Sequence, residues 1–170
     1  MELLAVVLII GILAAIALPQ YRKAVMKARF SELKVFTRAL AAAEDRYFFA
    51  NNAYTTDISL LDIDFPQTPT SVEENVYHFK TYNFDWGSCT LIDGSVDGEP
   101  RATCSNPDIN MIYGAQFSYV PSTASAYVKN HAGKYRCKVR VPSASNASLA
   151  AQICKQETRS DPDGGGDYWY

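Results

Sequence analysis

Between Glu2 and Arg22 the chain carries no charged residue, and every position from Leu3 to Leu18 is apolar, counting Gly11. The run closes on Pro19-Gln20-Tyr21 and stands at the short limit for crossing a bilayer, which takes ~20 residues. Past Pro19 a helical spacing continues almost to Asn51. A helix over that whole length is on the order of 70 Å long. The remaining ~120 residues build a domain with a radius of gyration of about 14 Å, too small to cover such a rod. Half of the rod therefore projects, apolar all round, and needs partners outside its own domain.

Three readings of this start compete. A secretory signal peptide has a basic n-region, an apolar core and a small-residue cleavage site, and Ala15-Ile16-Ala17 imitates the last of these. Glu2 stands where that basic region belongs. A simple membrane anchor leaves Glu2 unexplained, because an ionised carboxylate in apolar surroundings is costly unless paired. A helix that rests in the membrane and then packs against copies of itself accounts for both the run and the acid.

The stretch Glu2-Leu3-Leu4-Ala5-Val6-Val7-Leu8-Ile9-Ile10-Gly11-Ile12-Leu13-Ala14-Ala15-Ile16-Ala17-Leu18-Pro19-Gln20-Tyr21 resembles the N-terminal segment of bacterial type IV pilins and pseudopilins. The resemblance covers most of the first fifty residues and only the outline of the rest. It implies removal of a leader by a prepilin peptidase, a methylated Phe at the mature start, and a Phe-Thr-Leu lead-in just upstream of Met1. It also implies residence in the inner membrane, then assembly by the pilus machinery into an extracellular helical filament of identical subunits, serving adhesion and twitching motility. Glu2 matches the acid that pairs with a neighbouring subunit's N-terminal amine, and Gly11 and Pro19 match the pair between which assembled pilins lose helical hydrogen bonding. Gly weakens a helix by about 1 kcal/mol and Pro by about 3, so a bend or local unwinding there has a physical cause. A buried ion pair adds little net stability but fixes register, since a misplaced subunit strands the charge.

The expected fold is α+β: a long N-terminal α-helix, with an apolar projecting half and an amphipathic half, packed on an antiparallel β-sheet with a disulfide-bounded C-terminal loop. Residues 1–24 form the apolar half. Residues 25–170 form the head, with a connecting loop at 51–76, the sheet at 77–141 and a C-terminal loop and tail at 142–170. In the amphipathic half Met26, Leu33, Phe36, Leu40, Ala43 and Tyr47 make the core stripe, flanked by Phe30. The aromatic line Tyr21, Phe30, Phe36, Tyr47, Phe48, Phe49 and Tyr54 is read as core rather than as a path for electrons. Asn51-Asn52 ends the helix in the left-handed region, and Pro66 and Pro69 forbid a restart. Leu60, Leu61, Ile63 and Phe65 anchor an Ω-type connection. Strands are expected at 76–85, 87–92, 116–120, 126–129 and 134–141, the last with Lys134, Arg136, Lys138 and Arg140 on its wet face. A helical turn is expected within 143–152, started by Ser145 or Asn146.

The formal net charge of −2 hides an asymmetry. From Asn51 onward nine basic residues face fourteen acidic ones, while Arg22, Lys23, Lys27, Arg29, Lys34 and Arg38 crowd the helix. That cluster is read as a solvated helix face, without specific nucleic-acid binding. Cys89, Cys104, Cys137 and Cys154 admit three pairings, of which Cys89 with Cys104 and Cys137 with Cys154 is the simplest by sequence. The second bridge would match the disulfide-bounded loop that the resemblance implies, and two bridges point to an oxidising compartment.

No H-E-x-x-H, G-x-S-x-G, Walker or Rossmann pattern is present, and His78 and His131 stand in unrelated contexts, so no enzyme activity, cofactor or metal is expected. The acidic turns Asp93/Asp97/Glu99 and Asp161/Asp163/Asp167 carry oxygen donors of the kind calcium takes, but acid-rich turns are usually solvated. The tail ends in Tyr168-Trp169-Tyr170, which need a groove on their own sheet or a neighbour's. Asn146-Ala147-Ser148 fits an N-glycosylation pattern. Two further functions compete with a pilus subunit: a pseudopilin of a secretion or DNA-uptake system, and a membrane-anchored extracytoplasmic binding module.

Overall fold

The computed structural model describes residues Glu2 to Tyr170 except Pro66, His78, Val96 and Asp97; the Glu2 side chain also lies outside the described residues. A single helix, α1 (Glu2–Asn51), runs unbroken through Gly11 and Pro19. It ends as expected, with Asn52 in the left-handed region (φ 55°) and its N–H donating to the Phe48 carbonyl. Seven strands follow: β1 (Ser71–Glu74), β2 (Lys80–Phe84), β3 (Gly87–Ile92), β4 (Arg101–Asn106), β5 (Met111–Gln116), β6 (Tyr135–Val139) and β7 (Asp167–Trp169). They pair antiparallel in the order of the chain. Two shorter helices interrupt them, α2 (Ala126–His131) before β6 and α3 (Ala147–Thr158) before β7.

The amphipathic half of α1 lies across one face of this sheet. Its buried line is Met26, Phe30, Leu33, Thr37, Leu40 and Glu44, at alternating steps of three and four. Phe30 is therefore central rather than flanking, meeting Tyr113 of β5 edge-to-face at 5.6 Å. Thr37 and Glu44 occupy core positions that a reading by hydropathy passes over. The Thr37 hydroxyl reaches the Tyr113 carbonyl at 3.4 Å. Phe36 and Tyr47 are half-buried, while Tyr21 and Phe49 are exposed, so the aromatic line is core only in part.

The sheet differs from expectation at its margins. It runs from Ser71 to Trp169 rather than over 77–141, because β1 forms inside the expected connection and β7 inside the expected tail. β4 escaped notice because its inward residues, Ala102, Cys104 and Asn106, are small or polar. Its period of two is nonetheless intact, with Arg101, Thr103 and Ser105 on the other face. Residues 116–120 form no strand beyond Gln116, and 126–131 are helical. Ser125 decides the latter by accepting the Val128 N–H at the helix start. The turn expected within 143–152 is the longer α3, with Asn146 at its N-cap but without a side-chain cap bond. In the connection Leu61 is buried and Ile63 and Phe65 pack on the core, whereas Leu60 is exposed.

Gly87, in the tight turn from β2 into β3, has φ 155°, and a Cβ there would lie 2.1 Å from the Ser105 carbonyl oxygen of β4. Backbone cannot yield as a flexible side chain does. Gly87→Ala is expected to part β3 from β4 at that end and to cost about 3 kcal/mol. Urea unfolding followed by circular dichroism measures it.

Candidate assembly surface

α1 leaves the head between Arg22 and Met26, the first buried residue. From there to Leu3 every described side chain is exposed or half-exposed, with Leu3, Leu4, Val7, Leu8, Ile10, Leu13 and Ile16 all at 60% or more. At 1.5 Å per residue this bare stem is about 30 Å long, the thickness of a bilayer's hydrocarbon core. The helix is long and apolar enough to cross a membrane, and none of its most apolar window is buried by its own chain. Its most apolar part is the uncharged stretch before Arg22.

A Cβ added to Gly11 would meet nothing within 4 Å, so nothing in the single chain requires a glycine there. Pro19 has no N–H, which leaves the Ala15 carbonyl without its helical donor. Both features lie on the stem. Just above them, Leu18, Pro19, Gln20, Arg22 and Lys23 border an open groove of about 490 Å³ against Leu149 of α3. Arg29 pairs with Asp108 at 2.6 Å and Lys34 with Glu157 at 2.5 Å. Arg22, Lys23 and Lys27 form no ion pair among the described residues, so the cationic collar at the base of the head is free to meet an anion.

The structure joins the cysteines as Cys89–Cys104, between register partners of β3 and β4, and Cys137–Cys154, between β6 and α3. The tail finds its groove on its own sheet. Tyr168 is buried against β6, Tyr170 meets Tyr113 edge-to-face at 5.7 Å, and Trp169 lies 3.9 Å from the His131 ring. Asp163 organises this corner by accepting from Gly165 N–H, Asp167 N–H, Trp169 Nε1–H and the Tyr127 hydroxyl. Burial pushes the Asp163 carboxyl up, but these donors outweigh it and hold it below the ordinary carboxylate value.

Asp161 pairs with Lys155, and Asp167 with Arg136 and Lys138. The three acids of this turn are thus engaged with donors of their own chain. In the other acidic turn Asp97 lies outside the described residues, and Asp93 accepts the Ser95 N–H. Among the described residues no group of three His, Cys, Asp or Glu is placed to hold a metal ion.

In comparisons with known proteins, no protein-family model, curated protein or solved structure matches this chain. The residues that reading the sequence missed are Thr37 and Glu44. Their signal was present in the spacing, since Met26, Phe30, Leu33, Thr37, Leu40 and Glu44 keep one helical face even where the side chain is polar.

Proposed function

We propose that this chain is the structural subunit of a type IV pilus-like filament, built by copies of itself around their apolar stems. What carries the reading is a stem about 30 Å long, apolar on every side, that its own head leaves uncovered. The stem rests in the inner membrane before assembly and moves into a helical bundle of identical stems afterwards. Apolar burial is kept in that exchange and close helix packing is added. The contact joins different patches on successive copies, so it does not close and propagates as a fibre. Gly11 and Pro19 weaken the helix where neighbouring stems press on it, and Glu2 sets register by pairing with a neighbour's N-terminal amine. The disulfide-stapled head faces outward and carries adhesion.

Electron microscopy of the exported protein tests the reading, with long shed fibres expected. Stubs confined to the envelope indicate a pseudopilin, and single particles in detergent indicate an anchored binding module. Glu2→Lys is expected to abolish fibres while the head keeps the circular dichroism of the parent. Normal fibres from that variant would remove Glu2 from the mechanism.

A further inference from the structure

Glu44 is the carboxylate that the assembly reading leaves unused. It lies on the core line of α1, 0% exposed, near the end of the helix. Its Oε2 accepts the Thr55 N–H at 3.1 Å, and its Oε1 has no hydrogen-bond partner among the described residues. The ionisable groups facing it are Asp45 beside it on α1, Tyr54 in the connection, Tyr82 of β2 and Asp93 in the turn after β3. All are acids, and no Lys, Arg or His pairs with Glu44 among the described residues.

The segment lying over Glu44 is held by side-chain hydrogen bonds and by its ends. Tyr54 donates its hydroxyl to Asp45 Oδ1 at 3.2 Å, and Asp45 in turn accepts from the Ser118 hydroxyl at 2.6 Å. The Tyr82 hydroxyl donates to the Thr56 carbonyl at 2.6 Å and accepts the Ile58 N–H at 3.2 Å. The Tyr54 hydroxyl also accepts the Tyr119 N–H at 2.9 Å, and Tyr54 and Leu61 are buried in the core, so both ends of the segment are anchored; between them the Thr55 N–H ties the chain to Glu44 itself. Residues 55–58, between those anchors, are therefore the short piece of connection beside the Glu44 carboxyl, joined to β2 through the Tyr82 hydroxyl.

We propose that Glu44 and residues 55–58 form a proton-gated clamp, in which the segment stays closed over the protonated carboxyl and opens to water when the proton is lost. A closed chamber with one donor and no cation suits a neutral acid and penalises a carboxylate. Burial pushes the Glu44 carboxyl from 4.5 up to about 8, Asp45 and Asp93 push the same way, and the Thr55 N–H opposes them. The closed form thus holds a proton that the open form gives up at the ordinary value. Below about 4.5 both forms are protonated and pH has no effect. Between about 4.5 and about 8 each pH unit favours opening roughly tenfold, and above about 8 the preference levels off. The clamp is a property of the single chain and stands whether or not the chain builds a filament.

Amide hydrogen exchange on the full-length chain in detergent micelles, corrected for intrinsic rates, tests this. Protection at Thr55 and Ile58 is expected to fall roughly fiftyfold from pH 6 to pH 8 in the parent, and to stay level in Glu44→Gln. A level parent profile, or a parallel fall in the variant, overturns the proposal. Should Glu44→Gln fail to fold, the Glu44 carboxyl carbon shift of the parent decides. A midpoint near 8, shared with the Thr55 amide, supports the clamp, and a midpoint near 4.5 overturns it.

Discussion

Removing residues 1–24 is expected to give a head that stays in solution without detergent, sediments as a monomer and keeps the full chain's near-ultraviolet circular dichroism. The first buried residue of α1 is Met26, and from there the helix supplies its core line to the sheet without help from the stem. Among the described residues the head borders the stem's groove through Leu149 of α3, so the truncation removes little burial. The full chain, by contrast, exposes Leu3 to Leu18 to water, and an apolar surface of that size drives association or membrane insertion. Sedimentation velocity separates the two outcomes. A truncated chain that unfolds, or still associates as strongly as its parent, would mean that the stem belongs to the head's own core.

Replacing Cys137 and Cys154 together with alanine is expected to cost about 3 kcal/mol by the chain-entropy account, and to free α3 before the rest of the molecule. The bridge spans 17 residues and ties β6 to α3 through two fully buried cysteines. Without it α3 rests on Ala150 and Ile153 in the core and on the Lys34–Glu157 pair at the surface. The Cys89–Cys104 bridge closes a loop of similar length, 15 residues, so the same account assigns it nearly the same energy. Its loss is expected to look different. β3 and β4 stay joined by five ladder pairs, with β4 also paired to β5, so no region opens on its own. Hydrogen exchange distinguishes the two: early exchange confined to α3 and β7 for the first pair of substitutions, and a uniform loss of protection for the second. Identical patterns would refute the difference in local support.

Much of this was legible before any coordinates. An uncharged apolar run needs no tertiary context, because its burial is demanded by solvent alone, and the same holds for the alternation that marks β3 and β6. The left-handed exit at Asn52 was likewise a local matter of which residue tolerates positive φ. Patterns that depend on hydropathy failed where a structural position is filled by a small or polar residue. β4 was invisible because Ala102, Cys104 and Asn106 bury little apolar surface, although its neighbours hold it on both sides. β7 has three residues and no propensity worth reading; pairing with β6 creates it.

The chain by itself determined that a long helix precedes an antiparallel sheet and that the first half of that helix is apolar on every side, since an uncharged run of that length is read without knowing what surrounds it. Tertiary structure alone decided that the aromatic tail folds onto its own sheet and that Glu44 is sealed without a cation among the described residues. Those outcomes turn on distances between residues far apart in the chain, and short-range periodicity carries no information about such distances.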